Sequence, residues 1–275
     1  MSSINDGLFV YLLIDNGLLH EVSAGYTEAD AKSRPIWLAP IYEERALEVS
    51  PLLIDVEAAY EAGDIEKVMS YVSACKPALH ASIIESELGL GELVQHLRRF
   101  IFIVDPNGKQ FTLRFADCAV LASLSSLLTP LQWDAMRGQM ARWAVHDRSG
   151  SIVQLPSTES DARAPTPFIL DWEQLTALDE ASEPDHLIAK AKMMRHGGDF
   201  PGNATEQHAW ARGAREAWRA VGNSNPLFLT LLTEAALTTR GIILKREEVR
   251  DCLKLTDIDI FHARVKEIVA RIQGY

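Results

Sequence analysis

The chain has 275 residues, of which 47% are hydrophobic and 24% are charged, the composition of an ordinary soluble globular protein. Its formal net charge of −11 argues against a nucleic-acid-binding protein, because phosphate binding needs clustered Lys and Arg. The cysteines Cys75, Cys118 and Cys252 are far apart, so neither a zinc site nor a disulfide framework is indicated, and free thiols fit a reducing compartment.

The first half of the chain predicts strands alternating with helices. Leu8–Ile14 is a continuous apolar run that ends at Asp15-Asn16-Gly17, which is typical of a buried strand followed by a turn. Ile36–Ile41 contains Pro40 and is therefore at best an edge strand or an extended loop. Further predicted strands are Leu52–Val56 and Ala78–Ile84, and further predicted helices are Glu57–Cys75, with an interruption expected at Gly63, and Leu90–Leu97.

A β-hairpin is the clearest local prediction in the sequence. Two strand-like runs, Arg99–Val104 and Gln110–Phe115, flank a loop that contains Asn107-Gly108. Asp117 is well placed to cap a helix over Cys118–Leu128. Thr129 and Pro130 suit the start of a helix over Leu131–Met140, and Ala144–Asp147 with Ser151–Leu155 predict a last hairpin.

A change in composition at Pro156 predicts two lobes. Residues 156–167 contain three prolines and few apolar side chains, which indicates a linker between an α/β lobe at 1–155 and a helical lobe at 168–275. Residues 156–185 carry a net charge of −7 and residues 186–275 a net charge of +4, so the acidic segment is either a solvated face or packed on the basic lobe. The predicted helices of the second lobe are Trp172–Leu178, Asp185–Met194, Ala204–Val221, Pro226–Thr239, Arg246–Leu253 and Ile260–Ile272, the last with Thr256 and Asp259 as a capping box.

No motif in the sequence indicates a catalytic, cofactor or metal site. The patterns of a serine hydrolase elbow, a P-loop, a dinucleotide-binding loop and a zinc-binding helix do not occur, and the eight histidines are dispersed. We therefore expect no enzymatic activity, no cofactor and no metal. Glu43-Glu44, Asp185-His186 and His146-Asp147 are more simply interpreted as polar residues on the surface.

The segment Arg114-Phe115-Ala116-Asp117 predicts a corner between a strand and a helix. We expect Arg114 to be half-buried and paired with Asp117 or with Asp15, although an anion site is the functional alternative. Trp133 and Trp143 follow at spacings that favour core packing.

The segment Ala81–Gly150 contains in order a helix that ends in His96-Leu97-Arg98, an apolar strand, a turn at Gly108 and the corner from Arg114 and Phe115 to Asp117. This ordered set resembles the type VI secretion adaptors, also called effector chaperones, whose members were long described as a domain of unknown function. Tyr11–Asp15, Trp37–Tyr42 and Leu52–Asp55 add to the resemblance, which covers roughly the first 150 residues. The second lobe matches no family that we can name.

The resemblance implies an α/β (α+β) lobe with a mixed sheet flanked by helices, followed in this chain by an all-α lobe. It also implies a non-enzymatic chaperone that binds the N-terminal region of a toxin effector and loads it onto the C-terminal end of the spike protein VgrG. Neither nucleic acid nor a membrane is an expected partner. Because Met1–Asp6 lacks the features of a signal peptide and no apolar run is long enough for a membrane span, we expect a cytoplasmic protein.

Partner binding should depend on buried apolar and aromatic anchors, and Trp210 and Trp218 are the candidates in the second lobe. These tryptophans lie eight residues apart on one helical face, so core packing is the simpler interpretation of both. Two alternatives remain open. One is a hydrolase with a dispersed site that uses His196, Asp199 or Arg114, and the other is a binding protein unrelated to secretion.

Overall fold

The computed structural model describes residues 7–22, 25–42, 44–157, 167–195 and 198–274. The chain divides into two compact units, Met1–Leu178 and Asp179–Tyr275. The first unit contains the strands, and helices joined by loops make up the described residues of the second. The predicted α/β lobe followed by an all-α lobe is thereby confirmed.

Nine strands are found in the described residues of the first unit. They are β1 (Phe9–Ile14), β2 (Leu38–Pro40), β3 (Leu52–Asp55), β4 (Ala81–Ser86), β5 (Phe102–Val104), β6 (Gln110–Thr112), β7 (Met140–His146), β8 (Ile152–Gln154) and β9 (Phe168–Ile169). Six of them form an antiparallel sheet in the order β2-β3-β1-β4-β7-β8. The strand that contains Pro40 lies at one edge, where the missing N–H of proline costs no ladder hydrogen bond.

The central strand β1 is buried on both faces from Tyr11 to Ile14, whereas Phe9 and Val10 at its start are exposed. Tyr11 and Leu13 point into one hydrophobic cluster, whereas Leu12 and Ile14 point into another on the opposite face. This is the alternation that the pleat of a strand imposes. A strand covered by helices on both sides has no polar face, which is why the sequence shows an unbroken apolar run rather than an alternating one.

The helices of the first unit cover both faces of this sheet. They are α1 (Asn16–His20), α2 (Glu28–Ala31), α3 (Val56–Glu61), α4 (Ile65–Ser73), α5 (Leu90–Arg98), α6 (Cys118–Leu127) and α7 (Pro130–Arg137), with a 3-10 helix at Glu44–Val49. The interruption expected at Gly63 is confirmed, since this residue has a φ of +77° and separates α3 from α4. The two helices α5 and α6 pack their apolar residues into the cluster that contains Tyr11.

Several predicted boundaries in this unit were wrong. The strand predicted at Ala144–Asp147 begins at Met140, and those predicted at Arg99–Val104 and Gln110–Phe115 are shorter, at Phe102–Val104 and Gln110–Thr112. Two further differences have a local cause. The strand expected at Ala78–Ile84 begins only at Ala81, because the preceding residues form a turn in which Leu79 N–H donates to Pro77 O. The helix expected to reach Met140 ends at Arg137, because Gly138 has a φ of +54° and its Cα faces the ring of His96. A side chain at position 138 would clash with that ring, so glycine is required there.

A second, three-stranded sheet confirms the predicted hairpin and extends it. β5 and β6 pair antiparallel around the turn at Gly108, and β9 adds to β5 in parallel. Phe168 of β9 lies in the same core as Ile103 of β5, and its ring stacks edge-on against Phe100 at 5.2 Å. The division between the units therefore falls at Leu178 rather than at the predicted linker, residues 156–167, of which residues 158–166 lie outside the described residues.

The second unit consists of helices. They are α8 (Trp172–Met194), whose first turns lie in the first unit, α9 (Ala204–Ala220), α10 (Pro226–Thr238), α11 (Glu247–Cys252) and α12 (Ile258–Gln273), with a 3-10 helix at Ile242–Lys245. The helix α10 is buried on most of its surface, as its apolar sequence predicts. Its Phe228 stacks on Phe261 of α12 with ring centroids 4.3 Å apart.

Two helix predictions in this region were wrong. Trp172–Leu178 and Asp185–Met194 are parts of one helix that continues through Pro184. Glu180 and Glu183, which lie within the expected break at residues 179–184, are held by ion pairs to Arg215 and Arg219 of α9. The N-cap of α12 is Asp257, whose carboxylate accepts from the backbone N–H groups of Asp259 and Ile260, rather than the predicted Thr256.

Candidate functional site

The corner predicted at Arg114–Asp117 joins three elements of the first unit. Asp15 follows β1 and caps α1 by accepting a hydrogen bond from Leu18 N–H, and its own N–H donates to His80 O at 2.8 Å. Asp117 caps α6 by accepting from Ala119 N–H at 2.9 Å. Arg114 follows β6 and lies three residues before Asp117.

Of the two expected partners of Arg114, the structure selects Asp15. The Nη2 atom of Arg114 donates to Oδ2 of Asp15 at 2.9 Å. The side chain of Asp15 is 6% exposed and that of Arg114 is 53% exposed. The pair therefore joins two segments 99 residues apart, with the carboxylate buried and about half of the arginine side chain exposed.

The charges of the corner act on the pKa values of Asp117 and Arg114. Burial is the largest influence on the pKa of Asp117 and raises it, the charge of Asp15 raises it further, and the helix N–H groups and Arg114 oppose this. Burial by itself would lower the pKa of Arg114, but the charge and hydrogen bond of Asp15 outweigh that effect and the pKa lies above its usual value. Because Asp15 already compensates the positive charge of Arg114, this arginine is a poor site for a further anion. Its role at the corner is the structural pairing with Asp15.

The other residues that carry the family resemblance also have folding roles. Arg98 donates from Nε to Ile41 O at 2.8 Å and so ties the end of α5 to the segment after β2. Gly108 takes a φ of +83° in the hairpin turn, and Phe115 is fully buried. Each of the six signature residues, Asp15, Arg98, Gly108, Arg114, Phe115 and Asp117, is thus accounted for by local structure.

A cleft of about 300 Å³ lies beside α6 and the edge strand β8 and is lined by Cys118 and His146. The thiol of Cys118 donates to Ala81 O at 3.2 Å, and burial raises its pKa to about 12. The same carbonyl is 2.7 Å from Nδ1 of His146. A thiol with this pKa stays protonated near neutral pH, so Cys118 lacks the thiolate that a nucleophilic cysteine needs.

The residues considered for a hydrolase belong to both units, Arg114 to the first and His196 and Asp199 to the second. Arg114 is paired with Asp15, and Asp199 is exposed to solvent. His196 and Glu43 lie outside the described residues, as do the side chains of Glu44 and Arg45. Asp185 lies 3.9 Å from Nε2 of His208. No group of three or more His, Cys, Asp or Glu that could hold a metal ion occurs in the ranges that the structure describes.

Trp210 and Trp218 both pack within the second unit. The ring of Trp210 lies against the backbone of Gly202 and Gly241, which leave room for it by having no Cβ. The indole N–H of Trp218 is directed at Asn223 Oδ1 and Asn225 O. Both side chains are only partly exposed, so they contribute to the helical core as well as to the surface.

The second unit also contains an ion-pair network. It decides between the two interpretations of the acidic segment that the charge pattern allowed, a solvated face or a face packed on basic residues. Glu180 and Glu183 of the acidic segment pair with Arg215 and Arg219 on α9, and Arg215 is the most buried member. Hydrogen bonding and charge from these arginines lower the pKa of Glu180. This part of the acidic segment is therefore packed on basic residues of the helical unit instead of being a solvated face.

A second cleft, in the helical unit, was missed by reasoning from the sequence. It has a volume of about 420 Å³ and lies between α10 and α12, close to the end of α8. The available signal was the apolar character of α10 on almost all sides. Any part of so apolar a helix that its neighbours do not cover forms an apolar surface that a ligand or partner can reach.

Comparison with known proteins finds a similarity for one part of the chain. Residues 10–135, just under half of the chain, match the model of a family described as a domain of unknown function, DUF4123. No curated protein and no solved structure matches the chain. In the described residues, no helix has both the length and the apolar character that crossing a bilayer requires.

Proposed function

We propose that the chain is a non-enzymatic bacterial adaptor that acts in the cytoplasm, binds a type VI secretion effector and helps to load it onto the spike protein VgrG. The match of residues 10–135 to the domain of unknown function carries this proposal. It covers the opening strand, the helix that ends at Arg98 and the corner at Arg114–Asp117, which are the features that resemble the type VI adaptors.

The chemistry of the first unit supports a binding role. Arg114 is neutralised by Asp15, and the Cys118 thiol is held protonated by burial, so two reactive groups that an enzyme might use are engaged in folding. An adaptor needs no reactive group. It needs a stable scaffold and a surface complementary to its partners.

Association with specific partners is the direct test. We expect the full chain, co-expressed with the toxin and the spike protein encoded beside it, to co-purify with the toxin through the toxin's N-terminal region. A toxin without that region is the matched control and should be lost from the complex. The proposal fails if the chain forms a stable complex with neither the toxin nor the spike protein at micromolar concentrations, where specific complexes persist (about 1 μM corresponds to −8 kcal/mol).

A further inference from the structure

The cleft of the helical unit is an apolar groove between two packed helices. Its floor is formed by Leu231 and Ala235 of α10 and by Val265, Val269 and Ala270 of α12. Ala235 and Val265 are buried, whereas the other three are partly exposed at the groove surface. Two alanines on facing helices leave a depression into which a third element can pack closely.

The length of the groove suits a short helix. The lining residues run from Leu231 to Thr238 on α10 and from His262 to Gln273 on α12. At about 1.5 Å of rise per residue, these stretches span roughly 10 Å and 16 Å, or two to three turns of an α-helix. The described residues of this unit contain no strand, so an extended peptide has no sheet edge there with which to pair.

The rim of the groove carries mainly positive charge. Arg195 and Lys266 are exposed, His262 lies beside them, and Glu234 is the one carboxylate among the lining residues. Within the described ranges, neither Arg195 nor Lys266 has a carboxylate within 4.0 Å, although Arg195 lies over the ring of Phe200 at 4.9 Å. By contrast, Arg215, Arg219 and Arg271 of the same unit are each paired with a glutamate.

We infer that this groove is a docking site for an amphipathic α-helix of a protein partner, with acidic residues flanking the apolar face of that helix. The apolar face fills the depression above Ala235 and Ala270, and the acidic flanks meet Arg195 and Lys266. Met193 and Met194, both exposed, immediately precede Arg195 in the sequence and add flexible apolar side chains to the surface there. The identification of the partner as the effector rests on the proposed function.

A synthetic helix tests the groove without the natural partner. The probe is a fluorescein-labelled peptide of about 15 residues with leucines at helical spacing and glutamates on the flanks, and its binding to the full chain is followed by fluorescence anisotropy. We expect saturable binding that Ala270→Leu and Lys266→Glu each weaken by about tenfold or more. Ala270→Leu fills the depression at a partly exposed helical position, and Lys266→Glu alters an exposed side chain, so both variants should fold.

Lys245→Glu is the matched control, because this exposed residue of the same unit undergoes the same change of charge but does not line the groove. Its binding should stay within about twofold of the unmodified chain, a difference well below 1 kcal/mol. A peptide with lysines in place of the glutamates should bind much more weakly. The inference is overturned if the acidic peptide does not bind, if both peptides bind equally, or if Ala270→Leu has no effect while the variant retains its helical circular dichroism.

Measuring toxin binding with the same variants separates this inference from the proposed function. If the toxin binds the unmodified chain and Ala270→Leu equally well, the groove is not where the toxin docks and the adaptor role stands. If the acidic peptide binds as expected but the chain binds neither the toxin nor the spike protein, the groove is a helix-docking site and the adaptor role is overturned.

Discussion

The two units of the chain differ in how much of their chemistry is used for folding. In the first unit, the residues that carry the family resemblance are buried, capped or paired, as in the 2.9 Å contact between Arg114 and Asp15. In the second unit, which lies outside the matched segment, two helices leave an apolar groove whose cationic rim has no carboxylate partner in the described residues. The comparison indicates that the recognisable residues specify a scaffold and that partner choice should be sought in the helical unit.

The largest expected effect comes from a buried ring in each unit. Phe115→Ala should lower the free energy of unfolding by about 3–5 kcal/mol, because the fully buried ring leaves a cavity in the core of the first unit. Phe261→Ala, which removes a fully buried ring of the second unit, should cost a similar amount. Urea unfolding followed by tryptophan fluorescence measures both. A Phe115→Ala variant of nearly normal stability that no longer binds its partner would contradict a purely structural role for this signature residue.

A smaller effect is expected at the ion pair of the corner. Arg114→Ala should cost about 1–3 kcal/mol, because it leaves the buried carboxylate of Asp15 without its charged partner. Arg142 pairs with Glu85 at the same distance but in a more exposed setting, so Arg142→Ala should cost at most about 1 kcal/mol. Equal losses in the two variants, measured by urea unfolding, would show that burial of Asp15 contributes nothing to the difference.

Stability should fall on acidification because of two histidines in the first unit, the buried His80 and the half-buried His96. Burial lowers the pKa of His80 and of His96, although their hydrogen bonds to Tyr71 O and Met136 O oppose this. As the pH falls through about 6.5, the unfolded chain binds protons that the folded chain resists, so the free energy of unfolding declines by up to about 1.4 kcal/mol per pH unit for each histidine.

The double variant His80→Gln, His96→Gln removes both titrating groups and keeps an amide donor at each position. Its stability should depend less steeply on pH between about pH 7 and pH 5 than that of the unmodified chain, as measured by urea unfolding at each pH. An unchanged slope would mean that other groups cause the acid sensitivity.

The smallest expected effect concerns the start of the helix that lines the groove. Asp257→Ala should cost about 1 kcal/mol, because its carboxylate satisfies two N–H groups at the beginning of α12. Thr256→Ala, at the neighbouring position predicted from the sequence to be the cap, should change stability by no more than about 0.5 kcal/mol. Thermal unfolding of the two variants distinguishes the caps, and a larger loss for Thr256→Ala would contradict the observed geometry.

Elements specified by local patterns could be predicted from the sequence, whereas elements decided by tertiary contacts could not. The apolar run of β1, the turn at Gly108 and the cap at Asp117 each follow from a few adjacent residues. The continuation of α8 through Pro184 and the parallel pairing of β9 with β5 depend on partners far along the chain. Locally, Pro184 indicates the end of a helix, and the two apolar residues of β9 are too few to indicate a strand.

The features of the two candidate sites that depend on tertiary contacts could likewise not be predicted from the sequence. The choice between Asp15 and Asp117 as the partner of Arg114 could not be made from spacing, because Asp15 lies 99 residues away. The groove could not be predicted because it requires Ala235 and Ala270, 35 positions apart in the sequence, to face the same depression. Only the apolar surface of α10 hinted at it.

Toxin affinity in two variants tests the central claim most directly. Binding of the toxin encoded beside this chain is measured by isothermal titration calorimetry. The three proteins compared are the unmodified chain, Ala270→Leu in the groove and Arg114→Lys in the corner at Arg114–Asp117. We predict that Ala270→Leu weakens toxin binding by about tenfold or more, whereas Arg114→Lys, which keeps the charge beside Asp15, leaves it within about twofold. Loss of binding in Arg114→Lys with full binding in Ala270→Leu would contradict the division between a scaffold unit and a binding unit.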